Sequence, residues 1–293
     1  MNTSTGTPGW GTHAPTWSQS AWIHAIRLAP PWLRRPLQRH FREVHQKRWT
    51  APLDIVVRGL RFRSHFNDNT PEYKLLFQGR RLNGWHLRKL RPYFRTGGTF
   101  VDIGANFGFF SLNAAKTMGD RCRVVAIEPN CTMVNRLREN IRLNGLNSII
   151  VRDIAIGAAH GLAESQRDAA SHGSRGYGPA DVATTTDQSV SMMPLLSVLR
   201  DAGIEKIDVL KIDIEGYEDQ ALMPFFTDAP ESLWPQIIAI EDSHRDRWNT
   251  NVIDRLVAIG YRVTARGRVD HVLRREPASA AAKTGSAGVS GRC

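Results

Sequence analysis

Cysteine, long apolar runs and early acidic residues are all scarce in this chain. Its only cysteines, Cys122, Cys131 and Cys293, form an odd set without a C-x-x-C pair or a metal-ligand spacing. That argues against a disulfide framework or a zinc site and suits a reducing compartment. Nowhere do 18 apolar residues run together, and Met1–Gln19 has neither a charged n-region nor an apolar h-region. Neither a membrane span nor a secretory signal is expected, and the location reads as cytoplasmic. Residues 1–95 carry only Glu43, Asp54, Asp68 and Glu72 as acids, against 17 lysines and arginines. This local excess of +13 covers the whole surplus of +11, so the remainder is slightly acidic. Basicity of this kind marks either a solvated face or a surface that attracts an acidic substrate, anionic lipid or nucleic acid.

The glycines of the two common phosphate loops are missing as well. Counted from Gly104, G-x-G-x-x-G needs glycines where Asn106 and Phe109 stand, and a G-K-[ST] loop needs a lysine where Phe109 follows Gly108. Pyrophosphate and triphosphate sites are thereby set aside.

What is present is an apolar strand, Phe100-Val101-Asp102-Ile103, a turn from Gly104 through Asn106 to Gly108, a helix start, and a second strand, Val124–Glu128. Glu128 closes that strand 20 residues past Gly108. A helix plus a returning strand needs about that span, and a carboxylate so placed accepts hydrogen bonds from two ribose hydroxyls. D-x-G-x-N-x-G with an acidic strand end reads as the turn of an S-adenosylmethionine (SAM) site; a glycine turn in another α/β protein is the alternative.

A second segment, Ile207–Glu218, adds a strand whose side chains alternate between faces. Leu210, Ile212 and Ile214 fall on one face, and Lys211, Asp213 and Glu215 on the other. Three charges at the carboxyl end of a parallel strand must pair with one another or face a polar cleft, and that end is where ligands sit in open α/β sheets.

D-I-G-A-N-F-G, the I-E-P after the second strand and L-K-I-D-I-E-G-Y-E together resemble the FkbM-type family of SAM-dependent methyltransferases, from about Leu82 to Arg274. Ala155-Ile156-Gly157, Ile237–Glu241 and Gly260-Tyr261 add to the match. Where the family usually carries a T-L-D-like segment, this chain reads Ser191-Met192-Met193-Pro194-Leu195-Leu196. The resemblance implies an α/β, doubly wound, mostly parallel seven-stranded sheet of the class I, Rossmann-like methyltransferase type. It also implies SAM as cofactor and, as acceptor, a hydroxyl of a sugar, glycolipid or secondary metabolite. Two other readings stay open. One is an RNA methyltransferase, which the basic first third suggests although no nucleic-acid motif is present; the other is a SAM-binding regulator without transferase activity.

The expected organisation is a structureless residues 1–18, a basic helical and β accessory segment at 19–95, the methyltransferase domain at 96–275 with an insertion or lid at 158–190, and a structureless tail at 276–293. Within the accessory segment, Leu33, Leu37, Phe41 and Val44 make one helical stripe. It can cap the catalytic domain or lie on an anionic membrane. Asp102 is expected to face the methionine amino group, Gly104, Asn106 and Gly108 to form the turn, Glu128 to hold the ribose, and Asp153 to receive the adenine amino group or to cap a helix. Asp213 is expected on the acceptor side, or else at the SAM amino group or paired with Lys211. Lys211 and Glu215 can orient substrate hydroxyls or form a buried pair, and Glu241 joins them on the substrate side. His244 is a general-base candidate or a surface histidine. Asp213 with Glu241 or Asp242 can hold Mg²⁺, a minor alternative to a metal-free reaction.

Overall fold

The computed structural model describes residues 8–44, 48–49, 52–166, 176–179 and 189–277. The chain enters through two helices, α1 (Trp17–Leu28) and α2 (Pro31–Val44), and a hairpin of β1 (Leu53–Val57) and β2 (Leu60–Ser64). Two more helices follow, α3 (Thr70–Gln78) and α4 (Gly84–Leu90). Next come β3 (Thr99–Ile103), α5 (Phe109–Met118), β4 (Arg123–Ile127), α6 (Cys131–Asn144), β5 (Ile149–Arg152) and the short β6 (Ala155–Ile156). After β7 (Gly161–Gln166), β8 (Gly176–Pro179) and β9 (Val190–Met193), the order is α7 (Leu195–Asp201), β10 (Val209–Ile212), α8 (Glu218–Asp228), β11 (Ile237–Glu241), α9 (Val252–Ala258), β12 (Tyr261–Arg266) and β13 (Asp270–Arg275).

The main sheet has seven strands in the order β12-β13-β11-β10-β3-β4-β5. Every pairing from β11 to β5 is parallel, and β13 runs antiparallel to both its neighbours. The fold expected from the sequence is the one found. From β3 the chain winds outward through β4 to β5 and then returns to the other side of β3 with β10. The crevice beyond the carboxyl ends of β3 and β10 is therefore a topological switch point, where ligands of such sheets bind.

Strand alternation divides the core in two. Phe100, Val124 and Val209 belong to the cluster that includes α5, α6 and the accessory segment, whereas Val101, Val125 and Leu210 belong to the cluster with α7, α8 and α9. Phe41 and Leu37 of the α2 stripe pack into the first cluster, where the fully buried Phe41 meets Phe66, Tyr73 and Phe77, whereas Val44 is exposed.

One expectation is corrected in part, that residues 1–18 lack fixed structure. Residues 8–16 are held in place: the Gly11 N–H donates to Asp54 at 2.8 Å, and the Arg63 guanidinium donates to the carbonyls of Pro8 and Gly9 at 3.0 and 2.7 Å. Helix α1 begins at a reciprocal capping box of Thr16 and Gln19, a T-x-x-Q signal that the polar composition around it masks. In the segment 158–190, β7, β8 and β9 join β6 in a four-stranded sheet of order β6-β9-β7-β8. Residues 167–175 and 180–188 of that insertion, residues 1–7 and the tail from 278 lie outside the described residues.

Candidate functional site

The end of β3 and the end of β4 are tied together by the backbone. The N–H groups of Gly104 and Ala105 both donate to the Ile127 carbonyl at 3.0 Å. Asn106, in the left-handed region at φ 51°, then aims its N–H at Glu128 Oε2, 2.8 Å away. The Asn130 N–H donates to the other carboxylate oxygen at 3.0 Å. Glu128 is thus buried and oriented by two backbone donors. Burial outweighs those donors and Lys211 in setting its acidity, and pushes its pKa up to about 7.

Two glycines of the turn serve the chain itself. Gly104 has φ 76°, and a Cβ there would collide with the Asp213 carbonyl oxygen, because β10 ends directly alongside. Gly108, at φ 93°, begins α5, and a Cβ would run into Leu137 and Leu112. Gly104 and Asn106 line the crevice, but Gly108 does not, so its role is packing and not access to a ligand.

Asp102 does not line the crevice either. It lies fully buried on the α5 face of β3, where its Oδ2 accepts from the Ser111 hydroxyl at 2.5 Å and its Oδ1 stands 3.5 Å from Lys211 Nζ. Asp102 and Lys211 are register partners on neighbouring strands. The Lys211 ammonium donates to the Gly104 carbonyl at 2.8 Å and sits 3.7 Å from Asp213. Burial would lower the pKa of Lys211, but the surrounding carboxylates, Asp102 and Asp213 first, reverse that and raise it. Lys211 therefore stays charged and, while lining the crevice, holds the glycine turn in place.

At the other end of the crevice, the Asp213 and Glu241 carboxyls face each other. Burial pushes the Glu241 pKa up to about 10, reinforced by Asp213. Burial would raise the pKa of Asp213, but Lys211 and the hydrogen bond with Glu241 lower it. Glu215 departs from the strand pattern. Strand β10 stops at Ile212, and Glu215 sits in a turn at φ 60°, its carboxylate 3.1 Å from His244 Nδ1. That turn is held by Glu218 at the start of α8, which accepts from the N–H groups of Ile214 and Gly216. His244 does not line the crevice; its Nδ1 meets Glu215 and the Ser243 hydroxyl, which donates to Glu241.

Two expected residues lie elsewhere. Asp153 is exposed and paired with Arg138 at 3.4 Å, away from the lining. Asp242 faces His271 and Arg245, at 3.5 and 3.8 Å, so it does not join Asp213 and Glu241 as a cation cage. Among the described residues no cluster of three or more His, Cys, Asp and Glu side chains suits a metal ion.

Sequence reasoning missed His86 and Asp270. His86, on α4 of the accessory segment, lines the crevice with its Nε2 2.8 Å from Asp270 Oδ1 at the start of β13. No local signal marks either residue. Asn69, just before α3, was also missed. Its Nδ2 donates to Asn106 Oδ1 at 3.0 Å and points at Met133 Sδ at 3.0 Å, while its buried Oδ1 has no partner.

The crevice has a volume of about 830 Å³, ample for a nucleoside with an amino-acid arm. Ile103, Ile127, Ile154 and Ile156 give it apolar walls beside the Glu128 carboxylate. The unpartnered Asn69 oxygen supplies a buried acceptor. An apolar slot with an oriented carboxylate and an open acceptor fits adenosine, so the residues present fit SAM.

Residues 102–263, more than half of the chain, match the family described as Methyltransferase FkbM domain. The chain belongs to the FkbM methyltransferase family. It is a SAM-dependent methyltransferase, as the motifs that carry the match imply. No curated protein sequence matches the chain. Solved structures similar to it include a methyltransferase from Geobacter sulfurreducens (15% identity, 68% of this chain and 79% of that one, TM-score 0.41). An O-methyltransferase from Bacillus cereus in complex with SAH (14%, 64% and 77%, TM-score 0.38) and a SAM-dependent methyltransferase from Aquifex aeolicus (15%, 64% and 86%, TM-score 0.36) are further examples. Likenesses this distant leave the family match to carry the assignment. No helix among the described residues is long and apolar enough to cross a membrane.

Proposed function

We propose that this FkbM-family methyltransferase acts on a hydroxyl oxygen of a sugar, glycolipid or secondary metabolite. The observation that carries this reading is the polar group facing the glycine turn: Asp213 and Glu241 lining one crevice with Lys211, and His86 backed by Asp270 at 2.8 Å. When bound, SAM supplies a methyl carbon made electrophilic by its sulfonium. Glu128, Asn106 and the isoleucine walls hold the nucleoside, and Lys211 keeps the Gly104 carbonyl in place. Asp213 accepts a hydrogen bond from the acceptor hydroxyl and orients its oxygen. His86 then takes the proton, with Asp270 fixing the ring and stabilising the imidazolium that forms. An unactivated alcohol needs such a base, and alignment of oxygen and methyl carbon accounts for much of the remaining acceleration.

Incubation of the full chain with methyl-labelled SAM and fractionated host metabolites tests the reading. Label is expected in an ether on a hydroxylated product that resists mild base. Label appearing only in RNA, on base nitrogens, would refute it.

A further inference from the structure

The basic excess of the first third gathers into a band of arginines that have backbone carbonyls, at Arg27, Arg34 and Arg58, but no carboxylates as partners among the described residues. Three of the four acids in that region are committed elsewhere: Asp54 to Arg63, and Asp68 and Glu72 to Arg136. Arg58, Arg80, Arg88 and Arg91 form one group. Arg58 occupies a left-handed position, φ 55°, in the two-residue turn between β1 and β2, where Asn or Gly is the usual choice and an arginine is strained. The Arg58 guanidinium leans on the Arg80 carbonyl and comes near Arg88 over Gly84. A second group, Arg27, Arg34 and Arg81, continues the band, since Arg81 follows Arg80 in the chain. Burial, and then the like charges of their neighbours, lower the pKa values of Arg27, Arg58 and Arg81. Arg27 NH2 and Arg58 Nε are buried without any acceptor. Among the described residues, none of these seven arginines makes an ion pair with a carboxylate.

Apolar side chains stand beside this charge. The corner between α1 and α2 exposes Leu28 and Trp32, 81% and 75% accessible, immediately next to Arg27 and Arg34. Large exposed apolar groups set among arginines suit a lipid interface, where the apolar groups enter the headgroup layer and the guanidinia bind phosphate. A nucleic acid would use the arginines but gain little from an exposed leucine.

We propose that this face docks on an anionic lipid bilayer, with Leu28 and Trp32 inserted and the two arginine groups engaging lipid phosphates. The stretch from Arg80 to Arg91 also brings Asn83 and His86 to the crevice wall, so docking sets the mouth of the site close to the membrane. The inference is independent of the acceptor chemistry proposed above.

Co-sedimentation of the full chain with phosphatidylcholine vesicles, with and without about one-third phosphatidylglycerol, provides the test. Binding is expected only to the anionic vesicles. It should fall more than about tenfold in the quadruple variant Arg80→Gln, Arg81→Gln, Arg88→Gln and Arg91→Gln, given roughly 1 kcal/mol per basic residue at such a surface. It should fall several-fold in Leu28→Ser with Trp32→Ser, and both variants should keep their affinity for SAM. If the quadruple variant does not fold, the Leu28 and Trp32 pair decides alone. Equal binding to neutral vesicles, no binding at all, or loss of RNA binding in the quadruple variant with vesicle binding intact would overturn the proposal.

Discussion

The two ends of the crevice are built in opposite ways. The cofactor end comes mainly from one continuous stretch, where a turn and the next strand end lock onto each other through the Asn106 and Asn130 N–H groups and Glu128, with Asn69 added from the accessory segment. The end proposed to hold the acceptor is assembled from four distant segments: His86 from α4, Asp213 past β10, Glu241 on β11 and Asp270 on β13. Lys211 joins them, touching the Gly104 carbonyl on one side and Asp213 on the other. A local site is fixed by backbone geometry, so it tolerates little change; an assembled one can change its chemistry while the fold persists.

The harshest way to break this comparison is Gly104→Ala. Both its positive φ and the Asp213 carbonyl oppose a methyl group there, so a loss of about 3 kcal/mol or more in urea denaturation is expected, together with loss of SAM binding. His86→Asn attacks only the assembled end. It should lower kcat by roughly 10²–10⁴-fold while the SAM dissociation constant and the denaturation midpoint hold steady. A fall in SAM affinity instead would make His86 part of the cofactor end.

Acidity separates the ends more gently. The proposed ribose contact requires the ionised form of Glu128, whose pKa burial pushes up to about 7. SAM affinity should therefore be flat above that pH and weaken by up to tenfold per unit below it, in calorimetric titrations that hold ionic strength constant. The smallest effect concerns Glu241. Its folded pKa, about 10, lies above its ordinary value, so its contribution to stability is full below the ordinary carboxylate range and is lost as the pH rises toward about 10. Glu241→Gln removes that loss. The variant should match the parent near about pH 4 and exceed it by on the order of 1 kcal/mol near about pH 9, the size being limited by solvent that reaches the carboxyl.

The same contrast explains what the sequence made legible. The sheet and the nucleoside turn were readable because apolar runs, glycines and a strand-end carboxylate follow one another at fixed spacing. Alternation put Lys211 and Asp213 at the crevice, and Glu215 lines it too, although from a positive-φ turn past the strand end and not from the strand itself. Asp102 follows the strand alternation as well, and that is why it faces α5 and Ser111 instead of a ligand. Asp153 misled because a residue just past a strand end can turn either way, and here Arg138 takes it. His86 and Asp270 meet only through tertiary packing, which no spacing within the chain announces.

Isothermal titration of SAM into the parent protein and into Glu128→Ala tests the central claim most directly. Loss of the two charged hydrogen bonds to the ribose, each worth about 1.5–3 kcal/mol, predicts at least a 100-fold weaker dissociation constant in a protein whose circular dichroism is unchanged. An affinity equal to the parent's would contradict the account.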